Sequence, residues 1–232
     1  MGVGILALWP TLAHGQSDPT ADARLEMVRT QIAGRDVTDP AVLAAMRTVP
    51  RHAFVPANQA DNAYQDRPLA IGHGQTISQP YIVGLMTQLV RPQKDFKVLE
   101  IGSGSGYQAA VLAAIVNHVY TIEIVPPLAE WARQHLEQAG IRNATVKQAD
   151  GYFGWQEHAP FDAIVVTAAA PHIPPPLISQ LKDGGRMVIP VGSRWRTQQL
   201  VLVEKKGDQI TTRNVLPVSF VPFTRAETSP GQ

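Results

Sequence analysis

Apolar residues keep a helical rhythm at the start of this chain and change it twice afterwards. After Asp18-Pro19, Leu25, Val28 and Ile32 recur at three- and four-residue steps and Gly34 follows, which predicts a first helix. Asp39-Pro40 to Val49, closed by Pro50, predicts a short second one. From Arg51 to Pro80 no period holds. "RHAFVPANQADNAYQDRPLAIGHGQTISQP" is polar and rich in Pro and Gly, so it reads as loop with short extended pieces. An aperiodic segment of that length is either disordered or functional, and the compact "GHGQTISQP" favours function. Pro80 then opens a helix to Val90, with Ile82, Leu85, Met86 and Leu89 on one face.

After Arg91-Pro92 strands and helices alternate. "FKVLEIG", "VYTIEI", "ATVKQAD", "FDAIVVTAA" and "RMVIPVG" read as strands, and "YQAAVLAAIV", "PPLAEWARQHLEQAG" and "PPPLISQLKDGG" as helices between them. Such alternation builds parallel βαβ units with right-handed crossovers. The end differs: two extended runs in "QQLVLVEKKGDQITTRNVLPVSFVPF", joined at Lys206-Gly207-Asp208, predict an antiparallel hairpin on the sheet edge. The expected fold is therefore α/β: a doubly wound, mostly parallel sheet with helices on both faces, a C-terminal hairpin and an N-terminal helical extension. Residues 17–232 read as one domain, with 17–91 supplying helices and a site loop and 92–232 the ligand-binding sheet.

The first sixteen residues, "MGVGILALWPTLAHGQ", are apolar from Val3 to Ala13 and end in a small-x-small pattern, but no Lys or Arg precedes the run. They read equally as an export leader and as an N-terminal extension, and are too short to span a bilayer.

Composition removes several kinds of chemistry. Lys plus Arg number 20 against 19 Asp plus Glu, a net charge of +1 that gives no electrostatic reason to expect nucleic acid or an anionic membrane as partner. There is no cysteine, so disulfides, zinc-thiolate sites and a thiol nucleophile are excluded. His52, His118, His135, His158 and His172 show no metal-ligand spacing, and no metal is expected.

What remains is "VLEIGSGSGYQAA". In a doubly wound sheet the ligand lies beyond the carboxyl ends of the strands, and the turn after the first strand approaches it most closely. Gly102, Gly104 and Gly106, with Ser103 between them, occupy that turn and let a ligand lie against bare main chain. The dinucleotide fingerprint wants a third glycine at its sixth position, where this chain has Tyr107. Glu123, followed by Ile124, ends the next strand, where a carboxylate accepts ribose hydroxyls. Asp150, followed by Gly151, ends the third, placed to meet an adenine edge.

Together "VLEIGSGSG", "YTIEI", "QADG" and "FDAIVVTAA" resemble the class I S-adenosylmethionine-dependent methyltransferases. "VPRHAFVP", "AYQDRPLAIGHGQTISQPYIVGLM", "GRMVIPVG" and "PVSFVPFT" look like the protein-L-isoaspartate O-methyltransferase family, from about Arg24 to Thr224. The resemblance implies methyl transfer from S-adenosylmethionine, leaving S-adenosylhomocysteine, to the free α-carboxylate of L-isoaspartyl residues in damaged proteins and peptides. It places the catalytic serine at Ser78, with Thr76 and Ile77 flanking the methyl group and Thr224 near cofactor and substrate. An acceptor carboxylate with a pKa of about 4 is already ionised at neutral pH, so the absence of an evident His/Asp pair is no objection. His73, between two glycines of the loop, is a candidate substrate contact, and Val218 and Phe223 are candidate walls for an extended peptide. The family implies a cytoplasmic enzyme, export being the alternative if residues 1–15 are cleaved; a monomer is expected. A class I methyltransferase for another carboxylate or small molecule, and a nucleotide-binding oxidoreductase or non-catalytic binder, stay open.

Overall fold

The computed structural model describes residues 18–193 and 197–226, so the leader reading of residues 1–16 lies outside it. The N-terminal part forms α1 (Ala21–Met27), α2 (Pro40–Thr48), a hairpin of β1 (Leu69–Gly72) and β2 (Gln75–Ile77), and α3 (Pro80–Leu89). α1 widens into a π-helical turn over Val28–Ile32. α2 starts where the sequence demands: Asp39 accepts hydrogen bonds from the amides of Ala41 and Val42 at 2.8 and 3.1 Å, ahead of Pro40 at the first helical position. The aperiodic stretch contains two short 3-10 turns, Arg51–Phe54 and Ala57–Asn62, before the hairpin.

The alternating region gives β3 (Lys97–Ile101), α4 (Tyr107–Ala113), β4 (His118–Glu123), α5 (Pro126–Gln138), β5 (Ala144–Gln148), β6 (Phe161–Val166), α6 (Pro175–Gln180), β7 (Leu181–Val191), β8 (Gln198–Lys206) and β9 (Gln209–Val218). These strands form one sheet in the order β5-β4-β3-β6-β7-β8-β9. β3 pairs in parallel with β4 and β6, β4 with β5, and β6 with β7. β8 and β9 run antiparallel as the expected hairpin, turning at Gly207-Asp208, with Lys206 opposite Gln209. Chain order reverses at β3, where the next strand β4 lies on one side and β6 on the other, the position at which such sheets bind ligands.

Alternation along the strands divides the core. Val98, Val119, Val165 and Val188 face one cluster that holds α1 to α5, so the N-terminal helices share the core of the sheet. Leu99, Ile122, Ile164 and Met187 face the other, covered by α6 and by irregular chain around Trp155. The two faces are thus covered unequally. One boundary is corrected: the helix expected over 174–185 stops at Gln180. Leu181 instead opens β7 opposite Phe161, fully buried, and the strand shifts register there. Lys182-Asp183-Gly184-Gly185 offers no apolar residue for another helical turn to bury, and Gly184 at φ +76° bends the bulged strand.

Candidate active site

The turn after β3 is stitched into the sheet on both sides. The amides of Gly102 and Ser103 donate to the carbonyl of Ile122 at 2.8 and 3.2 Å, and Thr167, just beyond β6, donates from its amide to the carbonyl of Ile101 at 2.9 Å. The Thr167 hydroxyl donates to the Gly102 carbonyl at 2.6 Å. Gly102 sits at φ +97°, and a Cβ there would fall 2.3 Å from that hydroxyl oxygen. The glycine is required twice, by conformation and by contact.

Beyond this turn lies an open-mouthed cavity, a concave site at the strand ends where such sheets bind small molecules. Of the residues singled out in the sequence, Thr76, Ile77, Ser78, Gly102, Ser103, Gly104, Glu123, Ile124, Gly151, Phe223 and Thr224 line it. They come from five separate places in the chain. Four others do not line it. Gly106, at φ +88°, caps α4, and a Cβ there would press on α5 at the Ala132 carbonyl, 3.3 Å away, so its bareness serves helix packing. His73 stands exposed at the tip of the β1–β2 hairpin with φ +52°. Val218 is buried at the end of β9 opposite Gln198. Asp150 lies beside the cavity, its carboxylate held by the C-terminal segment.

Glu123 is 5% exposed. One carboxylate oxygen accepts the Gly104 amide at 2.8 Å and the other the Val125 amide at 2.9 Å. Each oxygen keeps a lone pair for a ligand hydroxyl. Beneath the turn, Thr121 donates to Glu100 and contacts the Ser103 hydroxyl at 2.6 Å. Glu100 is fully buried; burial, opposed by the Thr121 bond and helped by the nearby Glu123 charge, pushes its pKa up to about 8.

The opposite wall is the hairpin and the loop it leads into. Ser78 lines the cavity, and among the described residues its hydroxyl has no hydrogen-bond partner. A turn-forming serine would spend that hydroxyl on local backbone; this one is free for a ligand. Its neighbour Gln79 fastens the loop, donating to the Asp66 carboxylate at 2.8 Å and to the Asp66 carbonyl at 3.3 Å. Asp66 pairs in turn with Arg35, which lies 4.3 Å from the Tyr81 ring.

Thr167 and Ala168, after β6, and Tyr107 and Gln108, at the start of α4, also line the cavity and were not among the expected residues. The signal for Thr167 was present: "VVTAA" ends a strand next to the glycine turn, and strand ends are where such sheets bind. Among the described residues no group of three or more His, Asp or Glu is placed to hold a metal ion. Bare main chain, one carboxylate with free lone pairs and apolar walls suit an adenosyl ligand carrying a positive centre.

A family model described as protein-L-isoaspartate(D-aspartate) O-methyltransferase matches residues 22–228. Protein-L-isoaspartate O-methyltransferase 2 of Polaromonas sp. is 62% identical over 192 residues, 82% of this chain and 91% of that protein. Protein-L-isoaspartate O-methyltransferase 1 of Cupriavidus necator is 57% identical over 224 residues, 92% of this chain and 86% of that protein. A solved protein-L-isoaspartate O-methyltransferase superposes with a TM-score of 0.78 at 29% identity, covering 87% of this chain and 65% of that one. A Plasmodium falciparum structure in complex with S-adenosyl-L-homocysteine has a TM-score of 0.75 at 24% identity, covering 88% and 99%, and shows the likeness of fold.

Proposed function

The chain belongs to the protein-L-isoaspartate O-methyltransferase family, and on that premise we propose how its own residues move a methyl group from S-adenosylmethionine to the α-carboxylate of an L-isoaspartyl residue. The observation that carries the proposal is the free Ser78 hydroxyl facing, across one cavity, the glycine turn and Glu123. The cofactor supplies a methyl group on a positively charged sulfur. Gly102 and Gly104 give it a bare main-chain bed, and the two Glu123 oxygens accept the ribose hydroxyls. Ser78 donates to the acceptor carboxylate and fixes its orientation.

No residue has to remove a proton, because the acceptor is ionised at neutral pH. Lining up carboxylate oxygen, methyl carbon and sulfur supplies most of the acceleration. Opposite charges in the ground state become a neutral ester and a neutral thioether. Ile77, Pro222 and Phe223 in the wall exclude water from that step. The methyl ester then proceeds through a succinimide back towards aspartate.

The finer expectations belong to the same proposal. Residues 17–232 act as one unit, supported by the core that α1 to α3 share with the sheet. The enzyme works as a monomer in the cytoplasm, where its cofactor is made, on damaged proteins and peptides rather than on nucleic acid or membranes. A net charge of +1 supports the latter, and no described helix is long and apolar enough to cross a membrane. A mature N-terminus at Gln16 by mass spectrometry would instead establish export.

The deciding experiment is methyl transfer from labelled S-adenosylmethionine to two peptides differing only in L-isoaspartate against aspartate. Only the first should be methylated, and Ser78→Ala should lower kcat by about 10²- to 10³-fold, the usual cost of one donor at a reacting centre. Equal methylation of both peptides, or an unimpaired Ser78→Ala, would sink the assignment.

A further inference from the structure

One wall of the cavity is a strap outside strands β1 to β9. Val221 to Thr224 line it, held at the start by bonds across to Ala169: its amide donates to the Val221 carbonyl and the Phe223 amide donates to its carbonyl, both at 2.9 Å. The chain then leaves the cavity and closes on Asp150. Arg225 Nε donates to Asp150 Oδ2 at 2.9 Å and the Ala226 amide donates to the same oxygen at 3.1 Å. The Tyr152 amide donates to Oδ1 at 3.0 Å. The Arg225 guanidinium lies 3.7 Å from the Tyr152 ring centroid and 5.2 Å from that of Phe153, itself 60% exposed.

Both lone pairs of Oδ2 are therefore filled, while Oδ1 keeps one. Rotating this carboxylate breaks three bonds at once, so the direction of the remaining lone pair is fixed. Burial opposes ionisation of Asp150, but the bonds from Arg225, Tyr152 and Ala226 prevail and hold its pKa below the ordinary value. We propose that Arg225 is a cofactor-positioning residue: it fixes the direction of the Asp150 carboxylate at the edge of the cavity. The inference rests on reading Asp150 as a contact for the adenine edge of the cofactor. Arg225 itself touches Asp150 and the aromatic rings, so it acts through them.

S-adenosylhomocysteine binding by calorimetry, in the full chain, tests this with Arg225→Ala, Arg225→Lys, Asp150→Ala and the double variant. Arg225→Ala should weaken binding about five- to ten-fold, as an exposed cation–π contact combined with an ion pair would. The KM for S-adenosylmethionine should rise by the same factor while the peptide KM stays put, a split that general loosening of the fold would not produce. Lysine should restore part of the loss, since it pairs but does not stack as a plane. In the Asp150→Ala background, removing Arg225 should cost little more. Normal affinity in Arg225→Ala, with Asp150→Ala weakened, would overturn the role of Arg225 alone. Normal affinity in Asp150→Ala would remove the reading of Asp150 and the proposal with it. Fully additive losses would also overturn it, because Arg225 would then not act through Asp150.

Discussion

The glycine turn after β3 and the β1–β2 hairpin face each other across one cavity, yet they are held in opposite ways. The turn is buried, with Ser103 at 4% and Ser105 at 3% exposure, and bonded to the strand ends on both sides. The hairpin is a separate two-stranded sheet whose tip, Gly72-His73-Gly74, is exposed, and its following loop is fastened at Gln79. A cofactor of invariant shape suits the rigid side. An isoaspartyl site arrives in a protein chain of variable sequence, and in the proposed mechanism the side with the exposed tip is the one that presents Ser78 to it. On that proposal a buried bed and an exposed clamp divide the labour of alignment.

Breaking the rigid side should cost most. In Gly102→Ala the new methyl group would displace the Thr167 hydroxyl, 2.3 Å away, from the Gly102 and Ile101 carbonyls, and φ +97° would strain any side chain. Strain and lost bonds together should destabilise by about 3 kcal/mol. Chemical denaturation would read the loss, and calorimetry should find S-adenosylhomocysteine binding gone. A variant with wild-type stability and affinity would mean that the turn is as yielding as the hairpin.

The rigid side also carries a titratable cost. Glu100 has a folded pKa of about 8, against about 4.3 for an exposed glutamate. Between these values the folded state holds a proton that the unfolded state has released, so stability falls as pH rises, by at most about 1.4 kcal/mol per unit. Below the window Glu100 costs nothing of this kind, and above it the cost is constant. Glu100→Gln still accepts the Thr121 bond and is neutral throughout. Its melting temperature should lose less than that of the wild type between pH 5 and 8; parallel curves would show that Glu100 ionises normally.

The two sides also differ in how much the sequence discloses. The sheet, its hairpin and the glycine turn were legible because local spacing sets them: alternation of strands and helices, and glycines where a strand meets a helix. "PPPLISQLKDGG" misled because a Gly-Gly pair ends helices and bends bulged strands alike; pairing of Leu181 with Phe161, twenty residues earlier, decides the matter. Gly106 looked like part of the ligand bed, but its requirement comes from α5, a contact no local pattern reveals. The fastening of Ser78 through Gln79, Asp66 and Arg35, and of Asp150 through Arg225, joins residues 13 to 75 positions apart. Side-chain bonds of that range have no periodic signature, whereas Ser78, which lines the cavity, was singled out through the resemblance of "GQTISQP" to a known family.

The smallest effect should come from the hairpin tip. Gly74 has φ +69°, left-handed but nearer than Gly102 to the region other residues can enter, and a Cβ there would meet nothing within 4 Å. Gly74→Ala should therefore pay only for the left-handed backbone, about 1 kcal/mol, and His73, already at φ +52°, shows that this hairpin holds a side chain in such a conformation. The comparison with Gly102→Ala sets a left-handed position that has room for a Cβ against one that has none. Denaturation midpoints should separate the two variants by about 2 kcal/mol, with S-adenosylhomocysteine affinity retained in Gly74→Ala. If Gly74→Ala lost as much stability as Gly102→Ala, the hairpin would be braced as firmly as the turn, and the compliant side of the active site would have to be sought in the C-terminal strap instead.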